Sequence, residues 1–261
     1  MSELRIGAHV DQTDPVGEAQ ARGADHAQFF LGDPQGWKAP VVAYEGGAQA
    51  LRDAAARAGL GLYVHAPYVL NVATSNNRIR IPSRKLLQQH VDAAAEVGAT
   101  ALIVHGGHVL KDDDPELGVD NWRKCVERLE MRLPVLIENT AGGEQAMARR
   151  LKRLDRLWDA VGASGVGFCL DTCHAWAGGI GLDDVVERVL AVTGRIDLVH
   201  ANDSRDPFDS GADRHVNIGD GSIGVDVIAA VVAAAAAPVV VETPGGVEGQ
   251  AGDIARLRAA L

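Results

Sequence analysis

The chain has 261 residues, 47% of them hydrophobic, and a formal net charge of −10 at pH 7, enough apolar content for one sizeable core and one domain over residues 1–261. It contains no run of about 18 consecutive apolar residues, and its N-terminus enters an apolar strand without a charged leader. Neither a membrane span nor a secretory signal is therefore expected. The acidic balance argues against broad non-specific attraction to nucleic acid while leaving room for a locally positive site, and three cysteines, Cys125, Cys169 and Cys173, fit reduced thiols in a cytosol.

In chain order, short apolar runs alternate with Ala-rich amphipathic segments, eight pairs in all. Strands are predicted at Ile6–Val10, Ala27–Leu31, Leu62–His65, Ala101–His105, Val135–Glu138, Val166–Asp171, Ile196–Ala201 and Val239–Glu242. Helices are predicted around Val16–Arg22, Ala48–Ala58, Arg84–Val97, Asn121–Arg132, Ala146–Val161, Leu182–Val192, Val225–Ala237 and Asp253–Ala260. Gly23, Gly59 and Gly98 follow three of these helical runs, where a left-handed C-terminal residue is wanted. Near-continuous apolar strands joined by helices imply a parallel sheet buried on both faces, and eight repeats imply closure into a single-domain α/β fold, a (β/α)8 barrel.

Reactive groups in such a barrel gather at the C-terminal ends of the strands. The predicted ends carry His65, His105, Glu138, Asp171 with His174 after it, His200 and Glu242. The loop after the seventh strand adds Asp213 and His215, which project the same way if that segment is extended. Each residue alone has an ordinary reading as a capping, paired or core side chain. Together the five His, two Asp and two Glu would face one another unpaired at large desolvation cost unless cations sat among them. Nine ligands exceed the needs of one ion and suit two or three, and His with carboxylate favours Zn²⁺, Mn²⁺ or Fe²⁺ over Ca²⁺ or Mg²⁺. Cys169 and Cys173 are read as small buried side chains rather than thiolate ligands. His26 and His90 are read as ordinary, and His9 and His108 as partners that support ligands.

The segments Gly7-Ala8-His9-Val10, His65-Ala66-Pro67-Tyr68, Ile137-Glu138-Asn139-Thr140-Ala141-Gly142, Cys169-Leu170-Asp171-Thr172-Cys173-His174-Ala175, His200-Ala201-Asn202-Asp203-Ser204, Asp213-Arg214-His215 and Gly219-Asp220-Gly221-Ser222-Ile223-Gly224 together resemble the endonuclease IV family of apurinic/apyrimidinic endonucleases, nearly end to end. The resemblance implies a TIM barrel with three divalent metal ions, zinc first and Mn²⁺ or Fe²⁺ as alternatives. Such an enzyme hydrolyses the DNA phosphodiester 5′ to an abasic site and leaves a 3′-hydroxyl and a 5′-deoxyribose phosphate. By that likeness His65 and His105 would hold one ion, Glu138 would bridge it to a second held by Asp171, His200 and Glu242, and His174, Asp213 and His215 would hold the third. The expected chemistry is attack by a metal-activated hydroxide, with Glu138 as the catalytic residue that orients it. The expected partner is double-stranded DNA with abasic sites or blocked 3′ ends, met by a monomer in the cytoplasm that associates transiently with the nucleoid.

From Ala66 to Val91 the chain carries Arg78, Arg80, Arg84 and Lys85 and no acidic residue, read as a basic loop beside the mouth. Tyr68 and Val69 resemble family residues that enter the base stack when the abasic sugar is extruded, and Asn71 and Arg214 resemble further positions near DNA. Gln35 stands where well-known members carry an Arg, so its loop is expected to meet DNA without that charge. The competing reading is a xylose-isomerase-like sugar isomerase or epimerase, which shares the barrel but needs one or two ions. The His174, Asp213 and His215 set is the discriminating feature.

Overall fold

The computed structural model describes residues 4–261. Eight parallel strands close into a barrel: β1 (Ile6–His9), β2 (His26–Phe30), β3 (Gly61–His65), β4 (Ala101–His105), β5 (Val135–Glu138), β6 (Gly167–Asp171), β7 (Leu198–His200) and, after the short strands β8 (Asp203–Ser204) and β9 (His215–Val216), the closing strand β10 (Val239–Val241). Neighbours pair in sequence order and β10 returns to β1, with Ile6 opposite Val239. β8 and β9 form an antiparallel ribbon outside the barrel, Ser204 opposite His215.

Helices α1 (Pro15–Ala21), α2 (Gly47–Ala58), α3 (Asn77–Glu96), α4 (Glu116–Val126), α5 (Leu151–Val161), α6 (Thr172–Ala177), α7 (Val185–Thr193), α8 (Val225–Ala235) and α9 (Gly246–Ala260) connect the strands. Most surround the barrel and bury their apolar stripes against its outer face. Leu51, Leu87, Trp122, Leu157 and Leu257 are among the side chains that leave water entirely, the dominant favourable term in a fold of this kind. Gly23, Gly59 and Gly98 all take positive φ at the ends of α1, α2 and α3, as their positions suggested.

Inside the barrel a second, smaller cluster is made of Tyr63, Ala101, Ile103, Leu136, Cys169, Leu198 and Val240. His26 of β2 packs edge-on against Tyr63 at 5.3 Å between centroids. Gly7 makes room for it, since a Cβ there would lie 2.5 Å from that of His26.

The helix boundaries depart from expectation in ways that have physical causes. α3 begins at Asn77, not Arg84: the Asn76 side chain accepts the Arg78 N–H at its start, and Pro82 lies early in the helix, where it forgoes the one bond to the Arg78 carbonyl. The basic stretch expected to be a loop is therefore largely helical. α4 starts five residues earlier than predicted, at Glu116 behind Pro115. α5 starts at Leu151 and not Ala146, because residues 145–147 pair with the chain after β4: the N–H of Val109 donates to Gln145 O and that of Met147 to Gly107 O. Among the described residues no helix is long and apolar enough to cross a membrane.

Candidate metal centre

The two-residue period of a strand builds this site. Counting two residues on from the inward-facing Tyr63, Ile103, Leu136, Cys169, Leu198 and Val240 gives His65, His105, Glu138, Asp171, His200 and Glu242. All six project into the barrel at its C-terminal mouth. His174 comes from α6, a single short helix whose first turn is capped by Asp171: the His174 N–H donates to Asp171 Oδ1 at 2.7 Å. Asp213 comes from the loop leading into β9, and His215 is the first residue of β9 itself. Asp203 braces the far end of that ribbon by accepting backbone N–H bonds from Gly219, Gly221, Ile223 and Gly224.

The nine side chains fall into three sets whose ligand atoms lie within 4.8 Å of one another: His65, His105 and Glu138; Glu138, Asp171, His200 and Glu242; and His174, Asp213 and His215. Glu138 is fully buried and faces four imidazoles. Its Oε2 lies 3.1 Å from His65 Nε2 and 3.3 Å from His105 Nε2, and its Oε1 lies 3.1 Å from both His174 Nδ1 and His200 Nδ1. Asp171 Oδ2 borders the second and third sets, 3.9 Å from His200 Nδ1 and 3.8 Å from His215 Nε2. Asp213 Oδ1 lies 3.1 Å from His174 Nε2 and 3.2 Å from His215 Nε2.

The hydrogen bonds test whether these residues suit a cation. A neutral imidazole has one N–H to give. His65 spends it through Nδ1 on the Ala66 carbonyl at 2.8 Å, His174 through Nδ1 on the Asn139 carbonyl at 2.9 Å, His200 through Nε2 on Gln28 Oε1 at 2.8 Å and His215 through Nδ1 on the Glu242 carbonyl at 3.4 Å. The other nitrogen of each ring is then a bare lone pair turned toward carboxylates, acceptor against acceptor, and His215 Nε2 has no hydrogen-bond partner among the described residues. An acceptor pair of this kind needs either a proton or a metal ion between its members, and an N–H tied to an oxygen behind the ring is the usual dress of a metal-ligating histidine. Separations of 3.1–3.4 Å between facing ligand atoms also match the edge of a tetrahedron with Zn–N and Zn–O bonds of about 2.0–2.1 Å, roughly 3.3 Å. The donor set fits divalent ions of the zinc type.

Electrostatics point the same way. Burial alone would raise the Glu138 pKa, but the charges of His200 and His105 and the hydrogen bonds of His105 and His174 hold it well below the usual carboxylate range. For His174, burial would lower the pKa, yet Asp171 and Asp213 drive it well above that of a free imidazole. Without an ion the cluster keeps its charge balance with protons on the rings, which a cation would replace.

Among the other side chains singled out in the sequence, His9 supports a ligand, with Nδ1 3.2 Å from Glu242 Oε1. His108 is instead engaged by Asn71, whose Oδ1 accepts its backbone N–H and whose Nδ2 donates to its carbonyl. His26 and His90 stand apart from the nine. Cys169 is buried and its thiol is pushed up to about 12 by burial. Cys173 is equally buried, yet its sulfur falls within 4.8 Å of ligand atoms of Asp171 and His215.

At the rim, Tyr68 is 53% exposed and stacks on His105 with centroids 5.7 Å apart. It lines, with Trp37, Val69, Asn71 and His105, a cleft of about 360 Å³ at the mouth. A larger groove, about 710 Å³, lies between α7 and α8 on the outside of the barrel, away from the nine ligands. Gln35 is exposed, and the carbonyl of its neighbour Pro34 accepts the Tyr68 N–H at 2.8 Å. Asn71 is buried and its amide is committed to His108 and Thr74, so it shapes the cleft from within. Arg214 is paired with Asp206 through both Nε and Nη2. Of the four cations expected to present themselves together, Arg80 turns back to the Thr74 carbonyl and Arg84 to that of Asn121, while Arg78 and Lys85 stay exposed on α3 beside Trp37.

Three supporting residues were not assigned a role from the sequence. Asn139 receives the Asp171 N–H and donates to its carbonyl; Asn202 donates to Asp171 Oδ2 at 2.7 Å and accepts the Glu242 N–H; Gln28 touches both His200 and Glu242. Each is a fully or nearly fully buried amide, and the only sequence signal was an Asn one or two residues beyond a strand-end ligand.

A family model described as xylose isomerase-like TIM barrel matches residues 16–260. A Mycobacterium bovis (strain BCG / Pasteur 1173P2) protein named "Probable endonuclease 4" is 56% identical over 255 residues, covering 98% of each chain, and one of that name from Mycobacterium leprae (strain TN) is 54% identical over 255 residues, again covering 98% of each. Among solved structures, endonuclease IV from Thermus thermophilus superposes with a TM-score of 0.84 at 28% identity, covering 98% of both chains. A D-tagatose 3-epimerase-like protein superposes with a TM-score of 0.79 over 98% of this chain and 97% of its own, but at 17% identity that likeness is one of fold alone. On these relationships the chain belongs to the endonuclease IV family of xylose isomerase-like TIM barrels.

Proposed function

We propose that this chain is a divalent-metal-dependent endonuclease that hydrolyses the DNA phosphodiester 5′ to abasic sites, giving 3′-hydroxyl and 5′-deoxyribose phosphate ends in base excision repair. The names of its mycobacterial relatives and of the Thermus structure support an endonuclease. The observation that carries the reading is the third ligand set, His174, Asp213 and His215, because a sugar isomerase on the same barrel has no use for it.

Three ions, zinc first with Mn²⁺ or Fe²⁺ as alternatives, would be held by the three sets and would supply charge neutralisation at the phosphate, a lowered pKa for a bound water and stabilisation of the departing 3′ oxygen. The chain's own groups supply the rest. Glu138 belongs to two sets and holds four imidazoles in one arrangement, so its carboxylate sets the spacing of the whole centre. Gln28, Asn139 and Asn202 prevent that arrangement from relaxing. Tyr68, stacked on His105 and half in solvent, offers an aromatic face to the bases flanking an extruded sugar, with Val69 beside it. Arg78, exposed on α3, offers charge to a phosphate on the approaching duplex, and Gln35 offers an uncharged amide from the adjoining loop, whose Pro34 carbonyl accepts the Tyr68 N–H.

The test is incision of a synthetic duplex carrying one tetrahydrofuran abasic analogue, with metal content measured on the same preparation. The expected result is one cut immediately 5′ to the analogue, a 3′ end that a polymerase extends, and loss of the reaction on chelation. A chain loaded with three zinc ions that leaves the duplex intact would sink the proposal, and a metal content near one ion per chain would favour the isomerase.

A further inference from the structure

Two barrel strands, β1 and β2, contribute none of the nine ligands, yet each sends a polar side chain to the mouth, His9 partly buried and Gln28 fully so. His9 and Gln28 are register partners across these strands. Gln28 is fully buried and its amide makes three contacts: Oε1 lies 2.8 Å from His200 Nε2, and Nε2 lies 2.5 Å from Glu242 Oε1 and 3.0 Å from His9 Nδ1. The orientation of the amide follows from chemistry. Turned over, it would set its oxygen against the Glu242 carboxylate and its NH₂ against a ring that must give up its own proton elsewhere. As placed, Nε2 donates to Glu242, toward which His9 Nδ1 is also turned, and Oε1 accepts the proton of His200.

We propose that Gln28 is the positioning residue of the second ligand set: it fixes His200 in the tautomer whose Nδ1 is bare and fixes Glu242 so that Oε2, 3.4 Å from that nitrogen, is the free oxygen. One side chain thereby selects the donor atom of two ligands on different strands. This rests on the metal reading of the nine residues given above. A buried histidine with no partner on Nε2 would gain nothing from pointing Nδ1 inward and would exchange tautomers. With Gln28 in place the cost of the wrong tautomer is an acceptor facing an acceptor at 2.8 Å inside a fully buried site.

The experiment measures zinc binding, without DNA, by competition with a chromophoric chelator on the wild-type chain, Gln28→Leu and the near-isosteric Gln28→Glu, with circular dichroism and thermal melting of the chelated proteins reporting the fold. Long-range ¹H–¹⁵N correlation spectra of the zinc-loaded proteins report which ring nitrogen of His200 carries the proton. The expected result for Gln28→Leu is a loss of affinity of about 10–100-fold for one ion of the complement, the others unchanged, the usual scale for removing a group that orients a metal ligand, together with loss of the single protonated-Nε2 signature of His200. Gln28→Glu keeps an acceptor for His200 and so keeps that signature, while its second carboxylate against Glu242 makes the weakened affinity depend on pH. Full affinity and an unchanged His200 signature in both variants would overturn the proposal. A wild-type chain that takes up no zinc would overturn the metal reading and this inference together, whereas a wild-type chain that binds zinc and cuts no abasic DNA would leave this inference standing and remove only the substrate.

Discussion

Glu138 Oε1 and His200 Nδ1 face each other at 3.1 Å with both side chains fully buried, although the N–H of a neutral His200 ring is already spent on Gln28 at its far side. Two lone pairs at that distance in a dry interior demand a positive charge between them. Replacing Glu138 by Gln substitutes an NH₂ group for one of those oxygens and should eject or loosen ions shared by the first two sets. The barrel, built from apolar strands, should stay folded, and most DNA affinity should remain. The expected loss in single-turnover incision is at least about 10²–10³-fold, roughly 3–4 kcal/mol or more, the scale of an electrostatic group acting on the reacting centre. A Glu138→Gln chain retaining more than a tenth of the wild-type rate would remove Glu138 from the mechanism.

The three sets are not equally protected. Glu138, Asp171 and His200 leave water completely, while the Asp213 side chain is 52% exposed and His215 rides on a two-residue strand outside the barrel. Chelator should therefore remove one ion faster than the rest. His215→Ala should lower metal content by one ion and depress incision, with the melting temperature of the chelated protein unchanged. Unchanged metal content with lost activity would make His215 a substrate contact instead of a ligand.

A pH dependence independent of metal is built into the opposite end of the barrel. Burial, reinforced by the charge of Arg5, pushes His26 down to about 4. In the unfolded chain it titrates near 6.5, so between roughly pH 6.5 and pH 4 the unfolded state takes up a proton that the folded state refuses. Stability is complete above that window and falls as the pH drops through it, by about 1.4 kcal/mol per unit and roughly 3 kcal/mol in all. His26→Phe, measured against wild type by urea unfolding with chelator present in both, should abolish this part of the acid sensitivity. Equal slopes in the two proteins would show that His26 is protonated as easily in the fold as outside it.

The eight strands and the nine mouth residues were legible because a buried parallel strand is a run of apolar residues, and a polar residue at its end breaks that run visibly. Gln28 was not, since one amide in the apolar stretch His26–Phe30 looks like any strand residue until register sets it beside His9 and within reach of Glu242. α6 escaped because six residues are too few for a 3.6-residue period to show. The start of α3 was hidden by Pro82, and the basic run on it could not be resolved into inward-turned Arg80 and Arg84 and outward Arg78 and Lys85 without the helix itself. Side-chain destinations of long polar residues depend on which backbone carbonyls lie nearby, and a linear pattern carries no record of them.

Tyr68 is held from below by His105 and from the side by Phe30, 5.2 Å between centroids, and its backbone is tied to Pro34 of the loop that carries Gln35. The two loops therefore form one edge of the mouth, aromatic on one side and an uncharged amide with Asp33 nearby on the other. An Arg at position 35 would bring a charge and a fork of donors to that edge. Gln35→Arg should tighten binding to uncleaved abasic duplex and steepen its salt dependence by up to about one phosphate contact. Tyr68→Ala, which removes a ring already ordered by its neighbours, should weaken binding by roughly 1–3 kcal/mol with little change in salt slope, as expected for a stacking contact. Fluorescence anisotropy across a salt series separates the two, since charge alters the slope and stacking alters the intercept. If Gln35→Arg changes neither affinity nor slope, or Tyr68→Ala binds as wild type, DNA does not lie across this edge, and the exposed Arg78 and Lys85 of α3 would then have to be tested as its sole approach to the mouth.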